Sequence, residues 1–299
     1  MAFLKRLIGM RSPRNDWYSQ GMQGNSASES QVELTYLGTA GFVLKDGFRT
    51  VVLDPYVSRA PLTTLLAKPL VSDAALVNRI LPHANDVLIG HSHYDHILDA
   101  PELCRQTGAR LIGSRATMMV GRAAGLPEHQ LVETEGREDI ACGHWTVRGF
   151  PSRHGKVVLG RVAFPGDIKR PPKWPPRMHE LKHGLVLNWL VDTGGFRVMH
   201  IDSADFIADE LGGHHADVLC LCAVGRKYRP NYVKEAISLV KPRWVVPCHW
   251  DTMLTPIDAS PSMMPGVNLQ GFMQEIRNEN VEPLLMPILG KLTFDCRHG

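Results

Sequence analysis

No stretch of the 299 residues approaches the ~20 consecutive apolar positions that a membrane-spanning helix requires, which sets a helical membrane protein aside. Strong charge of one sign is missing too. Thirty-three basic residues against 30 acidic ones leave a formal net charge of +3, mixed along the chain, too little to argue for nucleic acid. Cysteine is scarce, and the six thiols sit in apolar runs rather than at framework spacing. A disulfide scaffold is therefore excluded, and buried free thiols in a reducing compartment are expected. Several catalytic signatures are absent as well: there is no G-x-S-x-G elbow, no P-loop and no G-x-G-x-x-G after a strand. The opening MAFLKRLIGMRSPR has Lys5 and Arg6 inside its apolar stretch and no clear cleavage site after it, so a cytoplasmic protein is the expectation. Phe3, Leu4, Leu7 and Ile8 could still line one helical face at a surface.

What is present is an ordinary globular composition, 44% hydrophobic and 21% charged, which makes wholesale disorder untenable. Residues 1–30 end in the polar run QGMQGNSASES and read as a tail; residues 31–299 read as a single domain. Val32, Leu34 and Tyr36 alternate with polar neighbours, as a half-buried strand requires. GFVLKDGFRTVVLD reads as two strands about an Asp46-Gly47 turn, with Gly supplying positive φ. Short strands then alternate with helices: NDVLIG (85–90), a helix stopped at Gly108, RLIGS, and a helix stopped at Gly125. WTVRGF, a hairpin about Gly194-Gly195, ADVLCLCAV, a helix after Pro230 and PRWVVP follow. This predicts an α/β fold with helices covering stacked sheets. One segment breaks the rhythm: residues 166–184 hold four prolines and five basic side chains, too Pro-rich for a regular element. It is either a loop over a functional site or a surface excursion.

The chemistry is concentrated in LIGHSHYDHILD. His91 and His93 fall just beyond a strand end, and Asp95 and His96 follow where the chain turns into a helix. Four ligating side chains within six residues could serve two adjacent metals, and imidazole with carboxylate suits zinc, manganese or iron. Chance clustering, even with 14 histidines, explains such a spacing poorly. Three later residues fit by context, each at the end of a predicted strand where ligands collect in α/β folds: His154, Asp202 and His249.

HSHYDH matches the H-x-H-x-D-H signature of the metallo-β-lactamase superfamily, and the order of the later elements is similar to that family's. TYLGTAGFVL and the Asp54 segment LDPY resemble the branch of ascorbate-lactonase-like hydrolases and N-acyl-phosphatidylethanolamine phospholipase D. The likeness spans about residues 32–255. It implies a four-layer αββα sandwich, with His91, His93 and His154 holding one metal, Asp95, His96 and His249 a second, and Asp202 bridging. Two zinc ions per chain are expected, with manganese or iron(II) as alternatives. Where the family commonly has Gly before the bridging Asp this chain has Ile201, so Asp205 is a rival bridge. Metal binding lowers the pKa of water toward ~7, and the resemblance implies a metal-bound hydroxide acting on an ester, lactone, amide or phosphodiester of a small molecule. Asp95, besides being a ligand, is the candidate to orient that nucleophile and relay its proton. Asp54 would either support a ligand histidine or cap a turn.

Other residues admit two readings at this point. His200 shares a strand face with Asp202, as support or as packing, and His214 and His215 read as solvated. Arg226, Tyr228 and Arg229, with His183 of the 166–184 loop, are the candidates for binding substrate; cations there would favour an anionic one. An iron-dependent oxygenase of the same fold and a non-catalytic metal-binding protein stay as alternatives. Nucleic acid is not an expected partner, and oligomeric state cannot be read.

Overall fold

The period-two pattern at the start of the domain forms a strand. In β1 (Gln31–Gly38), Val32, Leu34 and Tyr36 are buried while Gln31, Glu33 and Thr35 are half-exposed. The chain, described here by a computed structural model over residues 11–19, 31–157 and 159–296, continues into β2 (Gly41–Lys45) and β3 (Thr50–Leu53), a hairpin as expected. The reason for its turn differs from the expectation. Gly47 does not take positive φ; instead Asp46 Oδ1 accepts from the Phe48 and Arg49 N–H groups at 2.8 and 2.7 Å.

From β3 the first sheet runs parallel through β4 (Asp86–Leu88), β5 (Arg110–Gly113) and β6 (Leu131–Glu133). Its other edge is β14 (Lys291–Asp295), antiparallel to β1, which the sequence reading missed. Helices α1 (Leu62–Ala67), α2 (Ala74–Ile80), α3 (Tyr94–Ile97), α4 (Ala100–Thr107) and α5 (Arg115–Ala123) accompany this sheet. Helix α4 stops as predicted, because Gly108 enters the left-handed region at φ 76° and its N–H bonds Cys104 O.

The second sheet has the order β13-β12-β11-β10-β9-β8-β7. Its members are β7 (Asp139–Cys142), β8 (Trp145–Ser152), β9 (Val186–Asp192), β10 (Arg197–Ile201), β11 (Val218–Cys222), β12 (Trp244–Cys248) and β13 (Glu282–Pro283). Strands β10 to β13 are parallel, and the one-turn α6 (Ala208–Leu211), α7 (Tyr232–Val240) and α8 (Leu269–Arg277) belong to this half. The sheets pack face to face through Tyr36 and Phe42 of one and Trp189 and Met199 of the other, all fully buried. A second apolar cluster lies between the first sheet and its helices, which completes an α/β sandwich.

The described part of the predicted tail does not hang free. Residues 11–19 include a 3-10 turn at Asn15–Trp17; Trp17 and Tyr18 rest on the core and Ser19 N–H bonds Leu285 O at 2.9 Å. Aromatic side chains therefore anchor a segment whose polar neighbours suggested otherwise. Phe3, Leu4, Leu7 and Ile8 lie outside the described residues. Among the described residues no helix is long and apolar enough to cross a membrane, and the cysteines are free thiols, buried except for half-exposed Cys296.

Candidate metal centre

Strands of both sheets end where the candidate ligands begin. β4 stops at Leu88, two residues of turn follow, and His91 and His93 project from the loop before α3, whose first turn carries Asp95 and His96. His154 follows β8, Asp202 follows β10 and His249 follows β12. Both sheets therefore deliver side chains to one edge, β4, β10 and β12 as parallel strand ends do in α/β folds and β8 from an antiparallel pair.

The predicted ligands converge. Three overlapping groups offer atoms within 4.8 Å of one another: His91, His93 and His154; His91, His96 and Asp202; and Asp95, His96 and His249. His91 Nδ1 lies 2.5 Å from Asp202 Oδ2, and His91 Nε2 lies 3.0 Å from His93 Nδ1. Asp95 Oδ2 lies 3.2 Å from His249 Nε2 and 3.8 Å from His96 Nε2. Asp205, the rival, is elsewhere: it pairs with the Arg229 guanidinium, which also bonds Glu235 at 2.9 Å.

Burial governs the protonation of this cluster. It pushes His91 well below the usual imidazole value, helped by His96 and His93, and lowers His93 to about 4 and His154 to about 3. His96 goes the other way, to about 9, because the attraction of Asp54 and Asp95 overcomes its burial. Burial and then repulsion from Asp54 hold Asp202 well above the carboxylate range. For Asp95 burial is the largest influence and is upward, but the imidazoles of His96 and His249 outweigh it and leave it lowered.

The donor set fits a metal. Asp202 Oδ1 and His249 Nδ1 are buried without hydrogen-bond partners, and unpaired buried polar atoms are costly unless something else satisfies them. Imidazole nitrogens and carboxylate oxygens crowded together match the preferences of zinc and of neighbouring transition metals.

Supporting residues hold the cluster in place. Asp54 takes φ 43°, accepts from the Gly90 N–H at 2.7 Å, and lies 2.9 Å from His96 Nδ1, so it supports a candidate ligand. Gly90 is required by close approach: a Cβ there would sit 2.6 Å from Asp202 Cγ and 3.1 Å from Asp54 Oδ2. Sequence reasoning missed this position, although a small residue immediately before His91 was the available signal. It also missed a buried pair behind His249. Asp251 accepts from Tyr36 Oη, Thr39 N and Arg59 Nη1 at 2.7, 2.7 and 2.8 Å, and Thr39 O accepts from His249 N at 2.6 Å. Thr39, Arg59 and His249 all have positive φ, so strained backbone collects here.

A cavity of about 320 Å³ opens over the cluster, walled by side chains including Tyr94, Phe164, Met178, Met253 and Met264. Of the four substrate-binding candidates, only His183 comes near: its ring stacks on His154 at 5.7 Å and lies 5.9 Å from His93. Arg226 is turned to Glu275 and Phe272, Arg229 stacks on Phe206 beside Asp205, and neither lines this cavity, nor does Tyr228. Their charges meet acidic partners in the fold, which sequence spacing could not reveal. His200 is packing against Phe42 between the sheets, and His214 is half-buried against Phe150 rather than solvated. In the 166–184 loop all five basic residues are exposed, yet Ile168 and Leu181 are buried, and the loop delivers Met178 and His183 to the site.

A mixed two-sheet sandwich with a His/Asp cluster at the strand ends defines a metallo-β-lactamase-type fold. The chain belongs to the β-lactamase superfamily domain family, whose model matches residues 33–249, and is thus a metallo-β-lactamase superfamily hydrolase. A UPF0173 metal-dependent hydrolase of Heliobacterium modesticaldum is 26% identical over 230 residues, covering 74% of this chain and 83% of that protein. Among solved structures, a metallo hydrolase of the archaeon Ignicoccus hospitalis matches with TM-score 0.56 and 19% identity over 89% of this chain and 99% of that one. CmlA, a diiron β-hydroxylase of Streptomyces venezuelae, matches with TM-score 0.58 and 15% identity over 91% of this chain and 55% of that one. These two show the shared fold.

Proposed function

We propose that the chain is a dinuclear zinc hydrolase acting on a small-molecule ester, lactone, amide or phosphodiester. The observation that carries this reading is the overlap of three ligand groups through His91 and His96, with the unpartnered Asp202 Oδ1 among them. His91, His93 and His154 would hold one ion, Asp95, His96 and His249 the other, with Asp202 between. Bound zinc ions lower the pKa of water and polarise the oxygen of the scissile group.

The chain's own residues do the rest. Asp95 Oδ2 faces the cavity floor beside His249, where it can accept the proton of an attacking water and return it to the leaving group. Asp54 keeps the His96 ring turned so that Nε2 points inward, since Nδ1 is engaged. The apolar wall keeps bulk water from the scissile group, which strengthens every polar interaction beneath it.

Metal quantification tests the reading. About two zinc ions per chain are expected; one iron per chain would favour the oxygenase instead and refute it. Asp202→Asn should lose metal whereas Asp205→Asn should retain it, because the latter carboxylate is already paired with Arg229. Full metal content in the Asp202 variant would overturn its bridging role.

A further inference from the structure

The cavity above the cluster carries information about substrate that the motif does not. Its wall is built from loops: Phe164 from the segment after β8, Met178 from the 166–184 loop, and Met253 and Met264 from the stretch after β12. Among the described residues that line it there is no lysine or arginine, and the only ionisable side chains other than Tyr94 are the candidate ligands themselves. Arg153 and Lys156, which flank His154 in the chain, are exposed and are not part of the wall. The cations that would have argued for an anion are committed elsewhere, Arg226 to Glu275 and Arg229 to Asp205 and Glu235.

The two non-ligand hydroxyls in the wall are also engaged. Tyr94 Oη donates to Met253 Sδ at 2.7 Å, and Ser203 Oγ accepts from Gly155 N–H at 2.9 Å. Apart from the Ser203 O–H, what is left for recognising the part of a substrate beyond its scissile group is shape and dispersion. Methionine suits that task, being unbranched, polarisable and able to refill an irregular space. A substrate with a carboxylate remote from its scissile group would bring that charge into this wall without a partner, at a desolvation cost nothing here offsets.

From the cavity we infer that the part of the substrate beyond its scissile group is an uncharged aliphatic or aromatic group seated among Phe164, Met178, Met253 and Met264. This rests on the hydrolase reading and narrows it, excluding substrates that carry a charge away from the scissile group.

The test separates binding from turnover. Zinc-loaded protein is titrated with a series of n-alkyl methyl ketones, uncharged and not hydrolysable, and with the corresponding keto acids ending in a sulfonate, a charged group that is a poor zinc ligand. Affinity for the ketones should rise about 3- to 4-fold per methylene until the cavity is full, as expected for burial of a CH2 group. The keto acids should bind at least about tenfold more weakly than ketones of equal length. Met264→Lys, at a half-buried position, should flatten the series while metal content and melting temperature stay unchanged. A flat ketone series, or tighter binding of the keto acids, would overturn the inference. If ketones bind with the expected slope while the matching esters and lactones are not cleaved, the cavity assignment stands and the hydrolase reading falls.

Discussion

Asparagine in place of Asp251 would leave the shape of a buried pair and remove its charge. Asp251 and Arg59 are 0% and 3% exposed, with Arg59 Nη1 2.8 Å from the carboxylate. After the change the guanidinium keeps the Thr252, Leu37 and Tyr56 carbonyls at 3.0, 3.1 and 3.3 Å but has no counter-charge. Breaking one side of such a pair costs about 3–5 kcal/mol. At roughly 2 °C or more per kcal/mol for a domain of this size, thermal unfolding should move down by on the order of 6–10 °C. The loss should also reach the metal site, because Thr39 is held by Asp251 through its N–H and holds His249 through its carbonyl. Loss of such an outer support lowers metal affinity by about 10- to 100-fold. Thermal melts of the metal-free protein would report the first effect, and zinc titration into it the second. The double variant Arg59→Met/Asp251→Asn should recover part of the lost stability, since no uncompensated charge remains. An Asp251→Asn protein that melts and binds zinc like the parent, or a double variant with simply additive losses, would refute the reasoning.

Two further outcomes follow from the site. Gly90→Ala should displace the Asp202 carboxylate, whose Cγ would lie 2.6 Å from the new Cβ, and cost metal binding; retention of full metal content would show that the strand end can give way. For the metal-free protein, His93 and His200 at about 4, His154 at about 3 and His91 well below the usual value mean that the unfolded chain binds more protons below pH ~6.5. Stability should therefore fall as pH drops from ~6.5 toward ~4, partly offset by the raised Asp202. His96, raised to about 9, contributes stability that is lost as pH rises from ~6.5 to that value. Denaturant midpoints across pH should peak near ~6.5, and a monotonic rise into alkaline pH would contradict the assignment of His96.

The parts of this molecule that sequence disclosed are those with local signals. The alternation in β1, the Gly108 stop of α4 and the apolar runs of β11 and β12 each follow from a few neighbouring residues. Of the seven metal-ligand candidates, four stand out in sequence as the HSHYDH run between β4 and α3 and three as metal-competent side chains just after strands, and the fold brings these places together. What stayed hidden depends on distant partners. Nothing near Arg229 announces that Asp205 will take its charge, and nothing near Asp251 points to Arg59, 192 positions away. The cavity wall is equally unreadable, since four apolar side chains from two distant inter-strand segments share no period. Strand β14 and helix α8 were passed over: β14 is a short edge strand at the end of the described chain, and α8 follows a Pro- and Gly-containing stretch.

The pairing of β1 with β14 bears on how the molecule is made. Gln31 meets Asp295 across 264 positions of chain, so the outer edge of β1 has no native neighbour until that length of chain has been made. Through that interval its unpaired N–H and C=O groups offer a template to any extended segment nearby. Residues 31–38 are thus a stretch of the nascent chain in need of shielding, and β14, the last strand among the described residues, is the one that closes it.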